Sequence, residues 1–310
     1  MSGPALWLLV PFVASLVFGG LAPRLTRAMR PRTATFLLSV GSAVLSGGTV
    51  VATGLIVFFV ASETPIAADH GHWSIRQLES SQPFGTAVAV IAAAILVAQG
   101  AALLRSGVTH GRLLGQAWWA SHRATAALVV IDEPQPTAYA VPGWPGRIIT
   151  STGLLSTFSA AERRAVLAHE QAHLDGRHDL HLTAASVAAS VNPLLAGVPA
   201  ATRLATERWA DETAALAVGD RRTVAETIAR TAASAPPPGR QMLTFGAARE
   251  DTLQRITALL DPPPARHPVR GLALAAVVVV AVAATLLSAH ETKNLFEIAE
   301  RALPSATLHR

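Results

Sequence analysis

The apolar positions of this chain gather into four long blocks set apart by polar stretches. The blocks cover roughly residues 5–21, 36–61, 84–104 and 271–289, each near the roughly 20 residues a helix needs to cross a hydrocarbon core. The first lacks a basic start, which favours an uncleaved span over a signal peptide. The second is long and can tilt to fit. Its Gly41, Ser42, Ala43, Ser46, Gly47 and Gly48 either let helices pack closely or reflect an Ala/Gly-rich style. The fourth is centred on Val277-Val278-Val279-Val280.

Between 105 and 270 the pattern changes. Short apolar runs at Ala127–Asp132, Tyr139–Val141 and Arg147–Ser151 read as strands. A Pro-broken turn at Glu133–Thr137 and the hairpin-like Pro142-Gly143-Trp144-Pro145-Gly146 separate them, so a small mixed or antiparallel sheet is expected. Ser159-Ala160-Ala161-Glu162 fits a capping box and opens a helix. The helical pattern continues through Leu180 to Ser190. Leu182–Val198 is apolar but interrupted by Asn192-Pro193, and its length and break favour a buried helix over a dip into the membrane interface. Trp118-Trp119 marks either the interface or packing beneath the domain. The Pro-rich breaks at Ala235–Gly239 and Asp261–Pro264 enclose a helix, Glu250–Leu260.

Composition supports a membrane protein. The chain is 51% hydrophobic and 15% charged, against about 25% charge in a soluble domain. The absence of cysteine excludes disulfides and Cys-ligated zinc. A net charge of +5 without a dense Lys/Arg run argues against direct nucleic-acid binding and for a lipid bilayer as partner. Arg24, Arg27, Arg30 and Arg32 lie between the first two spans. Arg76, beside Glu63, Asp69 and Glu79, is the sole Arg/Lys between spans two and three. Arg105 and Arg112 follow the third span, and Arg266 and Arg270 precede the fourth. The positive-inside rule then places 105–270 in the cytoplasm and both termini outside a multi-pass cell-membrane protein. The expected organisation is three spans in 1–104, a cytoplasmic domain over 105–270, a fourth span at 271–289 and a short extracytoplasmic tail, 290–310. Charged residues inside the spans are missing, which disfavours a small transporter.

Candidate chemistry lies in His169-Glu170-Gln171-Ala172-His173. On a helix, positions four apart differ by about 40°, so both imidazoles can share one metal ion. Glu170, about 100° from His169, sits beside that ion as a base. Arg163, Arg164, Asp175, Arg177 and Asp179 flank the motif, and a segment so charged does not sit in hydrocarbon. A catalytic zinc needs a third ligand. Glu207, four residues before Asp211 on the same helical face, is the favoured candidate, with Asp211 free to hold a ligand imidazole. Asp179 completes an HExxHxxGxxD pattern but falls about 120° from His173 on an unbroken helix, and His178 falls about 140° away. His181 is similar to His178. His70 and His72 are isolated in the outer loop.

Ala138–Gly143, Thr152-Gly153-Leu154-Leu155, the Ser159–Asp179 helix and Glu207-x-x-Ala210-Asp211 resemble the integral-membrane gluzincins. These include the CAAX prenyl-protease and heat-shock-type membrane metalloproteases. The span layout most resembles the beta-lactam-sensor (BlaR/MecR-type) metallopeptidases. The resemblance implies a fold of four transmembrane helices with a mainly α, zincin-like domain containing a small sheet. It implies one zinc ion on His169, His173 and Glu207, with Glu170 as base and Asp211 in support. It also implies a protein substrate, in the sensor type a transcriptional repressor. Only Ala289–Arg310 follow the last span, too short to build a core, so direct beta-lactam sensing is not expected. The other class left open is a signalling or scaffold protein whose protease-like domain serves as a binding module.

Overall fold

The computed structural model describes residues 3–64, 73–74, 85–123, 126–234, 242–262 and 268–301. His70, His72, Arg76, the 235–239 linker, Arg266 and residues 302–310 lie outside them, as do the side chains of Trp118 and Trp119. In chain order the elements are α1 (Gly3–Ala28), α2 (Pro31–Ala61), α3 (Thr86–Arg123), β1 (Leu128–Ile131), β2 (Ala138–Val141), β3 (Arg147–Ser151) and α4 (Thr152–Thr157). There follow α5 (Ala160–Asp175), α6 (His178–Val191), a 3-10 turn (Pro193–Leu195), α7 (Val198–Val218), α8 (Arg221–Ser234), α9 (Met242–Leu260) and α10 (Pro268–Arg301).

The four expected spans are helices. Stretches at Leu6–Arg24, Pro31–Ala61, Thr86–Leu113 and Gly271–Arg301 are long and apolar enough to cross a membrane. Among the described residues the protein is thus α-helical, with four helices long and apolar enough to span a membrane and one small sheet. Large apolar side chains such as Val13, Leu16, Val97, Leu104, Val279 and Leu286 are exposed on these helices, as lipid-facing positions must be. Pro31 at the first turn of α2, after extended Arg30, separates α1 from α2. Along α2 the hydroxyls of Thr35, Ser39, Ser42, Thr49 and Thr53 bond back to carbonyls three or four residues earlier. These buried hydroxyls are thereby satisfied within their own helix. A Cβ on Gly41 would stand 2.8 Å from Phe18 and 3.2 Å from Val278, so this glycine lets α1 and α10 close on α2. α10 continues past Ala289 to Arg301, into the stretch expected to be tail. The sequence Glu291–Arg301 carries Glu/Lys/Arg pairs four apart that suit an exposed helix end.

The central region does not hang apart from the spans. Ala185, Ala188, Leu195, Val198, Ala201 and Ala205 share one core with Phe18, Leu38, Leu45 and Leu274 of α1, α2 and α10. The apolar Leu182–Val198 segment is buried against these helices, and Asn192 Nδ2 donates to Ser15 Oγ of α1 at 2.9 Å. α5 packs on α7 and β2, and α8 packs on α5, α7 and α9. A second core of Ala165, Ala214, Val224, Ala225 and Leu259 joins those helices.

The sheet is mixed, in the order β1-β3-β2. β1 pairs with β3 in parallel, and β2 pairs with β3 antiparallel with Ala140 opposite Ile148. β2 is therefore an edge. Thr137 C=O accepts from Ser151 N, and the antiparallel alternation turns the backbone groups of Ala138 and Ala140 to the open side.

Candidate metal centre

α5 starts as its sequence predicts. Ser159 Oγ accepts from Glu162 N, and Glu162 Oε2 accepts from Ser159 N at 2.7 Å, satisfying two backbone donors reciprocally. The helix presents His169 and His173 to α7, which presents Glu207. His169 Nε2 lies 3.1 Å from His173 Nε2. The Glu207 carboxylate lies 3.6 Å from His169 Nε2 and 3.7 Å from His173 Nε2. A tetrahedral zinc with bonds of about 2.0–2.1 Å needs donors about 3.4 Å apart. Two imidazole nitrogens and one carboxylate at these separations fit that ion, and a His/His/Glu set leaves one position open.

Each donor is held from behind. His169 Nδ1 lies 3.0 Å from Asp211 Oδ1, so Asp211 takes the imidazole's second nitrogen, as expected for a carboxylate one helical turn past Glu207. Arg255 of α9 grips Asp211 with two hydrogen bonds, Nε to Oδ2 at 2.8 Å and Nη2 to Oδ1 at 2.7 Å. Its Nη1 lies 2.9 Å from Glu207 Oε2. Sequence reasoning missed Arg255. The signal available is an arginine in the inward stripe Thr252, Arg255, Ile256, Leu259, where periodicity calls for an apolar residue.

The helix does not run on past the motif, and this corrects the expectation of an unbroken helix. α5 ends at Asp175, Arg177 takes a left-handed conformation (φ 48°) and α6 restarts at His178. The break swings His178 back, so that its Nδ1 lies 2.8 Å from His173 Nδ1. His178 therefore lies beside His173, not the roughly 140° away that an unbroken helix would impose. Asp179, in the first turn of α6, is not in the donor group, which comprises His169, His173 and Glu207. His181 turns to α2, with Nδ1 2.7 Å from Ser39 Oγ.

The electrostatics differ around the ring of donors. Burial works against a charge on His169, but its hydrogen bonds to Asp211 and Glu207 win and raise its pKa to about 9. Burial, together with the neighbouring His169 charge, lowers His173 to about 4. Burial likewise lowers His178 to about 3, with His173 and His181 adding to the effect. Burial alone would raise Glu207, yet the His169 hydrogen bond and Arg255 bring it down to about 2. Asp211 is lowered against its own burial by Arg255 and His169.

Glu170 stands outside the donor triangle. Its Oε2 accepts from Ala140 N, on the open edge of β2, at 2.8 Å, and burial raises its pKa. It shares with His169, Glu207 and Arg255 a cavity of about 350 Å³. Leu154, Val166, Val224 and Ile228 provide apolar walls, and Ala138 of β2 lies at its rim. A base, the open edge of a strand and an apolar hollow thus converge on one metal-competent cluster.

No solved structure matches the chain. Residues 112–237, which run from the end of α3 past α8 and include both histidines, Glu170, Glu207 and Asp211, match the model of peptidase family M48, so this region is similar to a family of zinc-dependent metallopeptidases.

Proposed function

We propose that this protein is a membrane-embedded zinc endopeptidase that hydrolyses peptide bonds of a protein substrate. The observation carrying the reading is the 3.1–3.7 Å triangle of His169, His173 and Glu207 donors with Glu170 beside it. His169, His173 and Glu207 hold the metal, and Asp211 orients His169. Zinc, when bound, polarises a scissile carbonyl and makes water more acidic. Glu170 takes the proton of the attacking water at its carboxylate and passes it to the leaving nitrogen. Burial raises the Glu170 pKa, which makes it a stronger base than an exposed glutamate.

The substrate docks as an extended strand on β2, using the outward N–H and C=O of Ala138 and the C=O of Ala140, whose N–H is donated to Glu170. That edge ends in the Ala140 N–H to Glu170 contact, so docking there delivers a peptide to the base. The positive-inside distribution puts the domain of residues 105–270 on the cytoplasmic side. A repressor substrate, and with it a signalling role, rests on the resemblance to the sensor-type enzymes.

The reading is tested on the full chain in detergent or nanodiscs. It expects about one zinc per chain and cleavage of an unstructured protein that stops on chelation and returns with zinc. Cleavage undiminished by complete zinc removal would overturn it. Zinc without any hydrolysis, in the wild type and against membrane and cytosolic protein pools alike, would favour the binding-module alternative.

A further inference from the structure

We propose that His178 is a positioning residue for His173, accepting a hydrogen bond at Nδ1 and so fixing the ring orientation in which His173 offers Nε2 to the metal. The inference rests on the zinc reading above and adds a residue to it.

Three independent features of the fold converge on this contact. The first is the pair itself. The two Nδ1 atoms are 2.8 Å apart, and the rings meet edge-on at 4.7 Å and 88°. A histidine that binds metal through Nε2 carries its ring proton on Nδ1 and needs an acceptor there. Since two Nδ1 atoms at this distance share one proton, His178 is that acceptor, and its own ring proton sits on Nε2.

The second feature is the backbone that delivers the ring. Gly176 has an ordinary helical φ of −80°, so it is not present for conformational freedom. A Cβ there would stand 2.5 Å from His178 Nε2 and 2.7 Å from Cδ2. The glycine makes room for the imidazole. The unfavourable left-handed turn falls instead on Arg177, a non-glycine residue for which it is costly. Arg177 is pinned there by a 3.0 Å hydrogen bond from Nη1 to Gly143 C=O and by stacking of its guanidinium 4.7 Å above Trp144. The β2–β3 turn thus holds the break that aims His178.

The third feature is enclosure. His178 is 1% exposed and packs against Trp209 of α7 at 4.7 Å. The ring has no room to swing away, and its Nε2 is buried without a hydrogen-bond partner among the described residues. A histidine that served only to fill this space would be replaceable by an apolar side chain of similar bulk at no cost to the metal. That alternative makes the opposite prediction.

The experiment compares zinc dissociation constants, by chelator competition at constant pH, for full-length wild type, His178→Leu, His178→Asn and Gly176→Ala. Circular dichroism and thermal melting report on the fold. Leu keeps the bulk and removes the acceptor, and should weaken zinc binding about 10–100-fold. Asn, whose side-chain oxygen can stand where Nδ1 does, should stay within about threefold of wild type. Gly176→Ala, which displaces the ring, should behave like His178→Leu. Nitrogen-15 histidine spectra of the zinc-loaded wild type should show a proton on His173 Nδ1, a reading that does not depend on any variant folding. Wild-type zinc affinity in His178→Leu, an Asn variant as weak as Leu, or a bare His173 Nδ1 would each overturn the inference while leaving the metallopeptidase reading intact. A wild type without zinc affinity would overturn both.

Discussion

The two imidazoles of the candidate metal site are supported by opposite chemistries. On the α7–α9 side, His169 leans on a buried ionic group, Asp211 with the guanidinium of Arg255 behind it. On the α5–α6 side, His173 leans on the imidazole of His178 beneath Trp209. The first support raises its histidine to about 9 and the second accompanies a fall to about 4. A dication needs both histidines neutral, each with one ring nitrogen free of a proton. His173 is therefore ready for metal at neutral pH, whereas His169 must first lose a proton. The ionic side organises the site in the absence of metal, and the neutral side keeps one donor available.

Breaking the ionic side should have the largest effect on stability. Arg255→Leu leaves the buried Asp211 carboxylate and the half-buried Glu207 carboxylate without their guanidinium. Removing one partner of such a group costs about 3–5 kcal/mol, which thermal melting of the metal-free protein should register. Zinc should recover much of that loss by supplying the missing positive charge.

A titration sharpens the comparison next. His169 has a folded-state pKa near 9, above its unfolded value of about 6.5. In the metal-free protein its stabilisation is therefore complete below about pH 6.5 and lost as pH rises through about 9. Zinc must displace that proton, so zinc affinity should rise about tenfold per pH unit from about 7 to about 9 and level off above. Calorimetry in two buffers of different ionisation enthalpy should count one proton released at pH 7.5. Asp211→Asn, which keeps a hydrogen-bonding group but removes the charge, should flatten the slope. An unchanged slope in that variant would place the titrating proton elsewhere.

The smallest effect belongs to the capping box that starts α5. Ser159→Ala should cost about 1 kcal/mol of stability and leave zinc affinity unaltered, since it lies more than two turns from His169. A change in zinc affinity here would show that the helix start, and not only the supports behind the rings, sets the donor geometry.

The same contrast explains what the sequence disclosed. Glu207 and Asp211 were legible because helical spacing alone puts residues four apart on one face, and α7 is regular through both. The four spans were legible because twenty or more apolar residues leave few alternatives. His178 was misread because its approach to His173 depends on a backbone break. The glycine at that break is there for its missing Cβ, while the left-handed residue is Arg177, so the usual helix-stop signal of a left-handed glycine is absent. Arg255 was invisible for another reason. It lies 44 residues from Asp211 in sequence, beyond the M48-like region, and only tertiary packing of α9 brings it to the site. The burial of α6 and α7 against the spans was likewise beyond periodicity, which identifies an apolar face but not its partner.

The most direct test of the central claim is the cleavage rate of Glu170→Ala beside its zinc content, measured with the full chain in membranes. Wild-type zinc occupancy is expected, because Glu170 lies outside the donor triangle, together with a loss of hydrolysis of at least about 100-fold. A variant that keeps its zinc and still cleaves at the wild-type rate would contradict the claim.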